Sequence, residues 1–210
     1  MRALPLSLGL IFFLLFSGIS FGEEAKALWM DFARLNRDTR SLCAQFSQEK
    51  RFSFLEKAIV SQGQFSFEKK EKGQYALLWE YAPPVSSGFY FDEETLWIIS
   101  EGNPRFRKAG HEEKSAFSKI VKAILPWMTA DEKSLSQSYS IRAQASPRTF
   151  VCTARKSSPF VQMTFSYDDT GLLRTLSFEE ENGDSTVLTF RNVVKNGKFV
   201  QTLLTGERLP

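Results

Sequence analysis

Residue types that commonly carry out catalysis are sparse in this chain. His111 is the only histidine among 210 residues and lies in the charged segment 111–114. A serine–histidine–aspartate triad needs its histidine oriented in a pocket, and a charged segment favours a solvated side chain instead. The acidic clusters at residues 168–169 and 179–181 fall at predicted turns, where solvated charge is the ordinary state. We therefore predict that the protein is not an enzyme and has no catalytic residues.

Two cysteines, Cys43 and Cys152, are the other chemically reactive groups. In an oxidising compartment they could form one disulfide that closes a long loop, or they could remain two buried thiols. Cys43 as a nucleophile would need activation by a base or a positive field. Two cysteines and one histidine cannot complete a zinc site without carboxylate help. The sequence also lacks a phosphate-binding loop and a dinucleotide fingerprint, so we predict no metal and no cofactor.

The N-terminus has the pattern of a secretory signal. Arg2 precedes a largely apolar run from Leu4 to Phe16, and the small residues Ser20 and Gly22 lie just before two glutamates. The run is shorter than the ~20 residues of a membrane span, and small residues at −3 and −1 favour cleavage. We predict a cleavable signal peptide over residues 1–22 and a soluble, exported product; an uncleaved anchor is the alternative. No cysteine lies near the predicted cleavage site, so we do not expect a lipid at the mature N-terminus.

Removing the signal leaves residues 23–210, enough for a single domain with a substantial core. The remaining 26 basic and 24 acidic residues are interspersed, so nucleic acid is not an expected partner. The chain has 20 phenylalanines, an abundance that favours either a thick β-core or an apolar cavity.

Hydrophobic periodicity predicts roughly eleven strands and two principal helices. An amphipathic helix covers residues 24–39, and alternation with a period of two begins at Ser41. Residues 105–110 are predicted as a polar loop, followed by a helix over 116–125 that Pro126 ends, and the last strand is predicted at 198–204. Consecutive antiparallel strands of this kind form one strongly curved sheet around either a helix or a hollow, and periodicity does not distinguish these alternatives.

Four short segments occur in an order that resembles a known family. They are an F-x-Q strand end, a glycine-started aromatic strand, a tryptophan strand that ends in two prolines, and a T-L-W strand, at residues 46–48, 63–67, 78–84 and 94–98. In this order they resemble LolA, the family of periplasmic outer-membrane lipoprotein carriers. Residues 49–51 and 55–63 are similar to divergent LolA-like proteins, some of which serve the export of lipids or polyenes.

The resemblance implies a mainly β fold with α-helices, in which about eleven strands form a single unclosed β-barrel with a helical lid. Acyl chains would bind in an apolar hollow beneath the lid. The protein would act as a monomer that shuttles a lipoprotein or another lipid from an inner-membrane exporter to an outer-membrane acceptor. The alternative is a protein of this fold without a cavity cargo, either an interaction module or an enzyme with an unrecognised site.

Strand parity and the resemblance together predict the residues of that hollow. The predicted lining comprises Phe46, Phe65, Phe67, Leu77, Trp79, Tyr81, Phe89, Phe91 and, depending on the register of its strand, Leu96 or Trp97. The predicted lid residues are Phe117, Ile120, Val121, Ile124 and Leu125. For each aromatic residue taken singly, ordinary core packing is the competing interpretation.

The sequence departs from the family at one position. In the family, an arginine six residues before the strand tryptophan ties the lid to the sheet. Counted back from Trp79, that position is Gly73. Lys69, Lys70 and Lys72 are close, but an ammonium group cannot reproduce the planar, bidentate hydrogen bonding of a guanidinium. The family's latch is therefore not expected here, which puts a lipoprotein cargo in doubt but leaves the fold prediction unchanged.

Overall fold

The computed structural model of the chain describes residues 23–92, 94–101, 105–128, 131–155, 158 and 160–210. Within the helices, the side chains of residues 23, 24, 116, 119, 120, 122–126, 128, 132 and 134 are not described. The predicted signal peptide therefore lies outside the described residues.

A single sheet of eleven strands forms most of the molecule, and every pairing between neighbouring strands is antiparallel. The strands are β1 (Ser41–Arg51), β2 (Ile59–Lys69), β3 (Tyr75–Tyr81), β4 (Gly88–Asp92), β5 (Thr95–Ile99), β6 (Phe106–Lys108), β7 (Tyr139–Gln144), β8 (Thr149–Ala154), β9 (Gln162–Tyr167), β10 (Leu173–Glu179) and β11 (Ser185–Lys195). Their spatial order is β6-β5-β4-β3-β2-β1-β11-β10-β9-β8-β7. This confirms the predicted fold class, a mainly β protein built on one open antiparallel sheet.

The sheet is strongly curved, as contacts between distant strands show. Phe67 on β2 and Phe165 on β9 border the same small cavity, although β1, β11 and β10 stand between their strands. The apolar parity of each strand consequently faces a common interior. In the described part of the chain, three α-helices accompany the sheet: α1 (Glu23–Asn36), α2 (His111–Met128) and α3 (Glu132–Ser138). Of these, α1 and α2 send aromatic side chains into the interior.

The C-terminal segment differs from its prediction. Residues 198–204 are not a strand of the sheet; an isolated bridge between Thr202 and Arg208 is the β pairing they contain. The physical reason is that both edges of β11 are already paired, with β1 and β10, so a further hairpin strand has no free edge. The segment crosses the outer face instead, where Leu203 packs against Leu78, Tyr90 and Ile99.

One strand, β6, lies where the sequence predicts a polar loop. Residues 106–108 form β6, in which Phe106 pairs with Ile99 and Lys108 with Trp97. A short, basic strand is a common way to end an open sheet edge without inviting aggregation.

Helix α2 also continues past its predicted end. Pro126 removes one backbone donor, yet the helix extends to Met128. Trp127 is almost fully buried and stacks on Phe165, with 4.9 Å between ring centroids. Burial of this ring offsets the hydrogen bond that the proline cannot make.

The two cysteines are free thiols, so the possible disulfide between Cys43 and Cys152 is not formed. Cys43 lies beneath the C-terminal segment, with its Sγ 3.1 Å from Ser66 Oγ and 3.4 Å from the carbonyl oxygen of Lys198. Cys152 is fully buried on β8 among the interior residues. Cys43 faces the outer side of the sheet and Cys152 faces its interior, and this separation keeps the two thiols from the close approach that a disulfide needs.

A candidate ligand cavity

A cavity of about 230 Å³ lies inside the curved sheet, beneath helix α2. Most of its wall is apolar, and its polar residues gather toward one end of strands β1, β3 and β11. The lining residues are Gln48, Lys50, Phe65, Phe67, Tyr75, Leu77, Trp79, Tyr81, Phe89, Val121, Phe160, Phe178, Glu180, Thr186 and Leu188.

One wall is built by neighbouring strands in register. Phe65 pairs with Trp79 and Phe67 with Leu77 across β2 and β3, and Trp79 pairs with Phe89 across β3 and β4. The rings of Trp79 and Phe89 are stacked, with centroids 6.5 Å apart. Because paired residues share a face, this register lines up large apolar side chains along one side of the cavity.

Gly63 shapes the same wall. A Cβ at this position would lie 2.0 Å from the carbonyl oxygen of Glu80 and 2.5 Å from the ring of Phe46. The missing side chain lets the Phe46 ring lie over β2 and contact Trp79, with centroids 4.3 Å apart. Phe46 therefore supports the cavity wall from behind.

The opposite wall comes from the other side of the curved sheet. Phe160 and Phe178 form a close ring pair with centroids 4.4 Å apart, and Leu188 on β11 is almost fully buried beside the cavity. Two aromatic walls thus face each other across the open volume.

A polar rim borders one end of the cavity; we use this name for Gln48, Lys50, Tyr81, Glu180 and Thr186. The Tyr81 hydroxyl donates a 2.8 Å hydrogen bond to Gln48 Oε1, and Lys50 Nζ lies 3.4 Å from Glu180 Oε1. Burial raises the pKa of Tyr81, which stays a neutral donor near neutral pH. The rim can hydrogen-bond to a polar group while the walls exclude water.

Helix α2 covers the cavity. Val121 is buried and lines it, and the Phe117 ring lies 4.9 Å from Phe89 and 5.4 Å from Phe91. A second hollow of about 330 Å³ lies beside the first and shares Tyr75 and Val121 with it. The side chains of the other predicted lid residues, Ile120, Ile124 and Leu125, lie outside the described residues.

The start of α2 is attached to the sheet by an exposed ion pair. Arg107 on β6 donates two hydrogen bonds, of 2.8 and 2.6 Å, to the carboxylate of Glu113 in the first turn of the helix. The backbone N–H of Gly110 donates a third, to Glu113 Oε2 at 2.9 Å. The Arg107 hydrogen bonds and then the Gly110 N–H lower the pKa of Glu113 to about 2.

The family's latch position has another structure here. Gly73 lies in the short turn Glu71–Gly73 before β3, at a positive φ of 77°. Lys70 is engaged in an ion pair with Asp92. Within the described part of the chain, the ion pair at the start of α2 is thus made by Arg107, more than thirty residues further along the chain.

Most of the predicted lining residues meet at the cavity. Phe65, Phe67, Leu77, Trp79, Tyr81 and Phe89 line it. Phe91 and Leu96 border the second hollow instead, and Phe46 lies behind the wall. The prediction missed the opposite wall and the polar rim. The alternation along β10 and β11 could have indicated that Phe178 and Leu188 face the interior. On β1, Gln48 and Lys50 continue the inward-facing alternation that includes Phe46.

Among the described residues, no group of three or more metal-ligating side chains could hold a metal ion. Likewise, none of the helices in this part of the chain is long and apolar enough to cross a membrane.

Comparisons with known proteins show which family and which solved structures this chain is similar to. Residues 37–205 match the family model described as outer membrane lipoprotein carrier protein LolA. Among solved structures, MucB is similar at 15% identity and a TM-score of 0.52, with 84% of this chain and 60% of the MucB chain covered. This chain thus spans less than two thirds of MucB. Curated protein sequences give no match.

Two further structures align over most of both chains. An outer membrane lipoprotein-sorting protein domain from Vibrio parahaemolyticus has 11% identity and a TM-score of 0.47, covering 83% of this chain and 93% of the other. Lipoprotein LppX from Mycobacterium tuberculosis has 11% identity and a TM-score of 0.47, covering 82% and 97%. The family match spans most of the sequence, and on that ground the chain belongs to the LolA family of outer membrane lipoprotein carrier proteins.

Proposed function

We propose that this protein is a periplasmic carrier that binds the acyl chains of a lipoprotein or another lipid in the cavity under α2. The observation that carries the proposal is an open volume of about 230 Å³ enclosed by facing aromatic walls. An interior that large and apolar stays poorly hydrated, so an alkyl chain can enter without displacing strongly held water.

The energetics favour reversible loading. Burying one CH₂ group is worth about 0.8 kcal/mol, so a C16 chain is worth roughly 10 kcal/mol. Phe117 and Val121, the lid residues in contact with the walls, contribute about 1.5–3 kcal/mol each. A cargo chain therefore offsets the free energy lost when these side chains leave the walls, and the carrier needs no energy source of its own.

The proposed direction of transport rests on the family and on the predicted signal peptide. We propose that residues 1–22 are a cleaved signal peptide and that residues 23–210 work as a monomer in the periplasm. An inner-membrane exporter would load the cavity and an outer-membrane acceptor would empty it. The family to which the chain belongs supports this route.

Binding of an environment-sensitive fluorescent fatty acid tests the cavity. We expect saturable fluorescence enhancement with residues 23–210. Thr186→Trp places a large ring in the cavity, and we expect at least about tenfold weaker binding because the alkyl chain loses its space. The matched control is Val187→Trp, one residue along β11, whose side chain points outward and is exposed. It should bind within twofold of the unmodified protein.

Thermal unfolding of each variant shows whether it is folded. A well-folded protein that takes up no fatty acid, or equal binding by both variants, would contradict the proposal and favour an interaction module. Mass spectrometry of lipids that copurify from the native periplasm then identifies the cargo class.

A further inference from the structure

The hairpin that joins β1 and β2 carries an unusual group of exposed apolar side chains. Among the described residues, nine large apolar side chains are exposed, and four of them fall between residues 54 and 60: Phe54, Leu55, Ile59 and Val60. Phe54 is 77% exposed and Val60 64% exposed. The other five are scattered singly over the chain, as is normal for a protein surface. We call residues 52–60 the apolar tip.

The apolar tip is held in a fixed shape by a neighbouring hairpin. The backbone N–H of Ser53 donates a 2.9 Å hydrogen bond to Asp184 Oδ1, and this contact lowers the pKa of the buried Asp184 carboxyl. The N–H of Leu55 donates to the carbonyl oxygen of Phe52 at 3.0 Å. These bonds turn the apolar side chains outward on an ordered support, so their exposure is a built feature of the fold.

The tip is continuous with the cavity entrance. Lys50 and Glu180 belong to the polar rim, and Lys50 Nζ lies 4.9 Å from the centroid of the Phe52 ring. The Phe52 ring in turn lies 5.5 Å from that of Phe54. Along this end of the molecule, an apolar cavity is followed by a polar rim and then by an exposed apolar tip.

We propose that the apolar tip inserts into the surface of a lipid bilayer and holds the cavity entrance at the level of the lipid headgroups. Aromatic and aliphatic side chains next to basic ones suit the boundary between headgroups and acyl chains. Lys50 and Arg51 are paired with Glu180 and Glu49, so the exposed apolar side chains, and not a net positive charge, carry the insertion.

The size of the tip favours a bilayer over a protein partner. A stable protein interface takes about 20–30 residues from each side and a complementary surface on the partner. The tip offers nine residues of one hairpin. Insertion into a bilayer needs no complementary pocket, so this small apolar surface suffices.

Sedimentation with lipid vesicles tests the proposal. Residues 23–210 are mixed with unilamellar vesicles of phosphatidylcholine and phosphatidylglycerol, and we expect a fraction of the protein to sediment with the vesicles. Phe54→Ser with Val60→Ser should weaken vesicle binding at least about tenfold, because two inserting side chains are lost. The matched control is Met30→Ser with Val194→Ser, two side chains of similar exposure away from the tip. It should bind within twofold of the unmodified protein.

Two results would overturn the proposal: no vesicle binding by the unmodified protein, which would leave the tip to a protein partner, or equal loss in the tip and control variants. The experiment is separate from the test of the cavity. Thr186→Trp leaves the tip intact and should bind vesicles normally even though it excludes the fatty acid. If the unmodified protein binds vesicles but takes up no fatty acid, the carrier proposal fails and the membrane proposal stands.

Discussion

The interior of this protein has two halves of similar composition. One is filled by side chains, and the other contains a cavity. In the filled half, α1 and the end of α2 insert Trp29, Phe32 and Trp127 between the rings of β8 and β9. In the hollow half, β1–β4 present an equally aromatic face to a cavity. The described helical side chains that reach this cavity region are Phe117 and Val121. Aromatic content therefore does not decide between core and cavity.

The filled half should be very sensitive to loss of a ring. Phe150 is fully buried and its ring centroid lies 5.7–6.2 Å from those of Trp29, Phe32 and Trp127. Phe150→Ala leaves a cavity that these large rings cannot collapse to fill, so we expect the free energy of unfolding to fall by about 3–5 kcal/mol. Urea unfolding followed by circular dichroism measures the change. Phe150→Leu is the control and should cost less than half as much; a loss below about 1 kcal/mol for the alanine variant would show that this half is not tightly packed.

The cysteines report on how tightly the filled half is closed. Burial raises the pKa of the Cys152 thiol, and thiolate is the species that reacts. In native protein at pH 8 we expect Cys43 to be labelled by a thiol reagent and Cys152 to react at least about 100-fold more slowly, since its labelling requires opening of the filled half. Quantifying the labelled thiols over time measures this. Cys43→Ser should abolish the fast phase; two fast equivalents would mean that the filled half opens readily.

The hollow half should tolerate the same substitution better. Phe89 is half-buried and already borders open volume, where it contacts Phe117 and Trp79. Phe89→Ala loses these contacts but enlarges an existing void instead of creating one, so we expect a loss of about 1–2 kcal/mol. The measurement is the same urea titration used for Phe150→Ala. Equal losses at the two positions would remove the distinction between filled and hollow halves.

This contrast also explains how far sequence reasoning reached. Alternation predicted Phe65, Leu77 and Trp79 on one wall because adjacent antiparallel strands keep their parity in register. It could not predict that Phe178 faces them, since parity gives the face of a strand but not the distance across a curved sheet. Nor could it place Phe46 behind the wall, because that depends on its ring packing over Gly63.

The C-terminal segment shows a second limit of sequence reasoning. Its alternating pattern matches a strand, and only knowledge of the sheet order reveals that β11 has no free edge. Helix α2 shows the same limit, since burial of Trp127 against Phe165 determines its end more than the local effect of Pro126. In each case a contact between residues far apart in sequence overrides the local pattern.

The two ends of α2 give the smallest and most specific prediction. Its C-terminal end is fixed in the filled half by the buried Trp127, whereas its first turn is fixed by the exposed pair of Arg107 and Glu113. The pKa of Glu113 is lowered to about 2 from an ordinary 4.5. The contribution of the ionised Glu113 to the free energy of unfolding is therefore fully present above pH 4.5 and is lost as the pH falls through about 2.

Thermal unfolding of the unmodified protein and of Glu113→Gln across pH 7 to 2 measures this contribution. We expect the unmodified protein to unfold at a slightly higher temperature at pH 7, by the small amount typical of an exposed ion pair. The difference should stay constant down to about pH 4.5 and shrink toward zero near pH 2. Glu112→Gln, at the neighbouring exposed position, is the control and should show no comparable trend. A constant difference over the whole range would mean that the glutamate stabilises the helix start by something other than its charge.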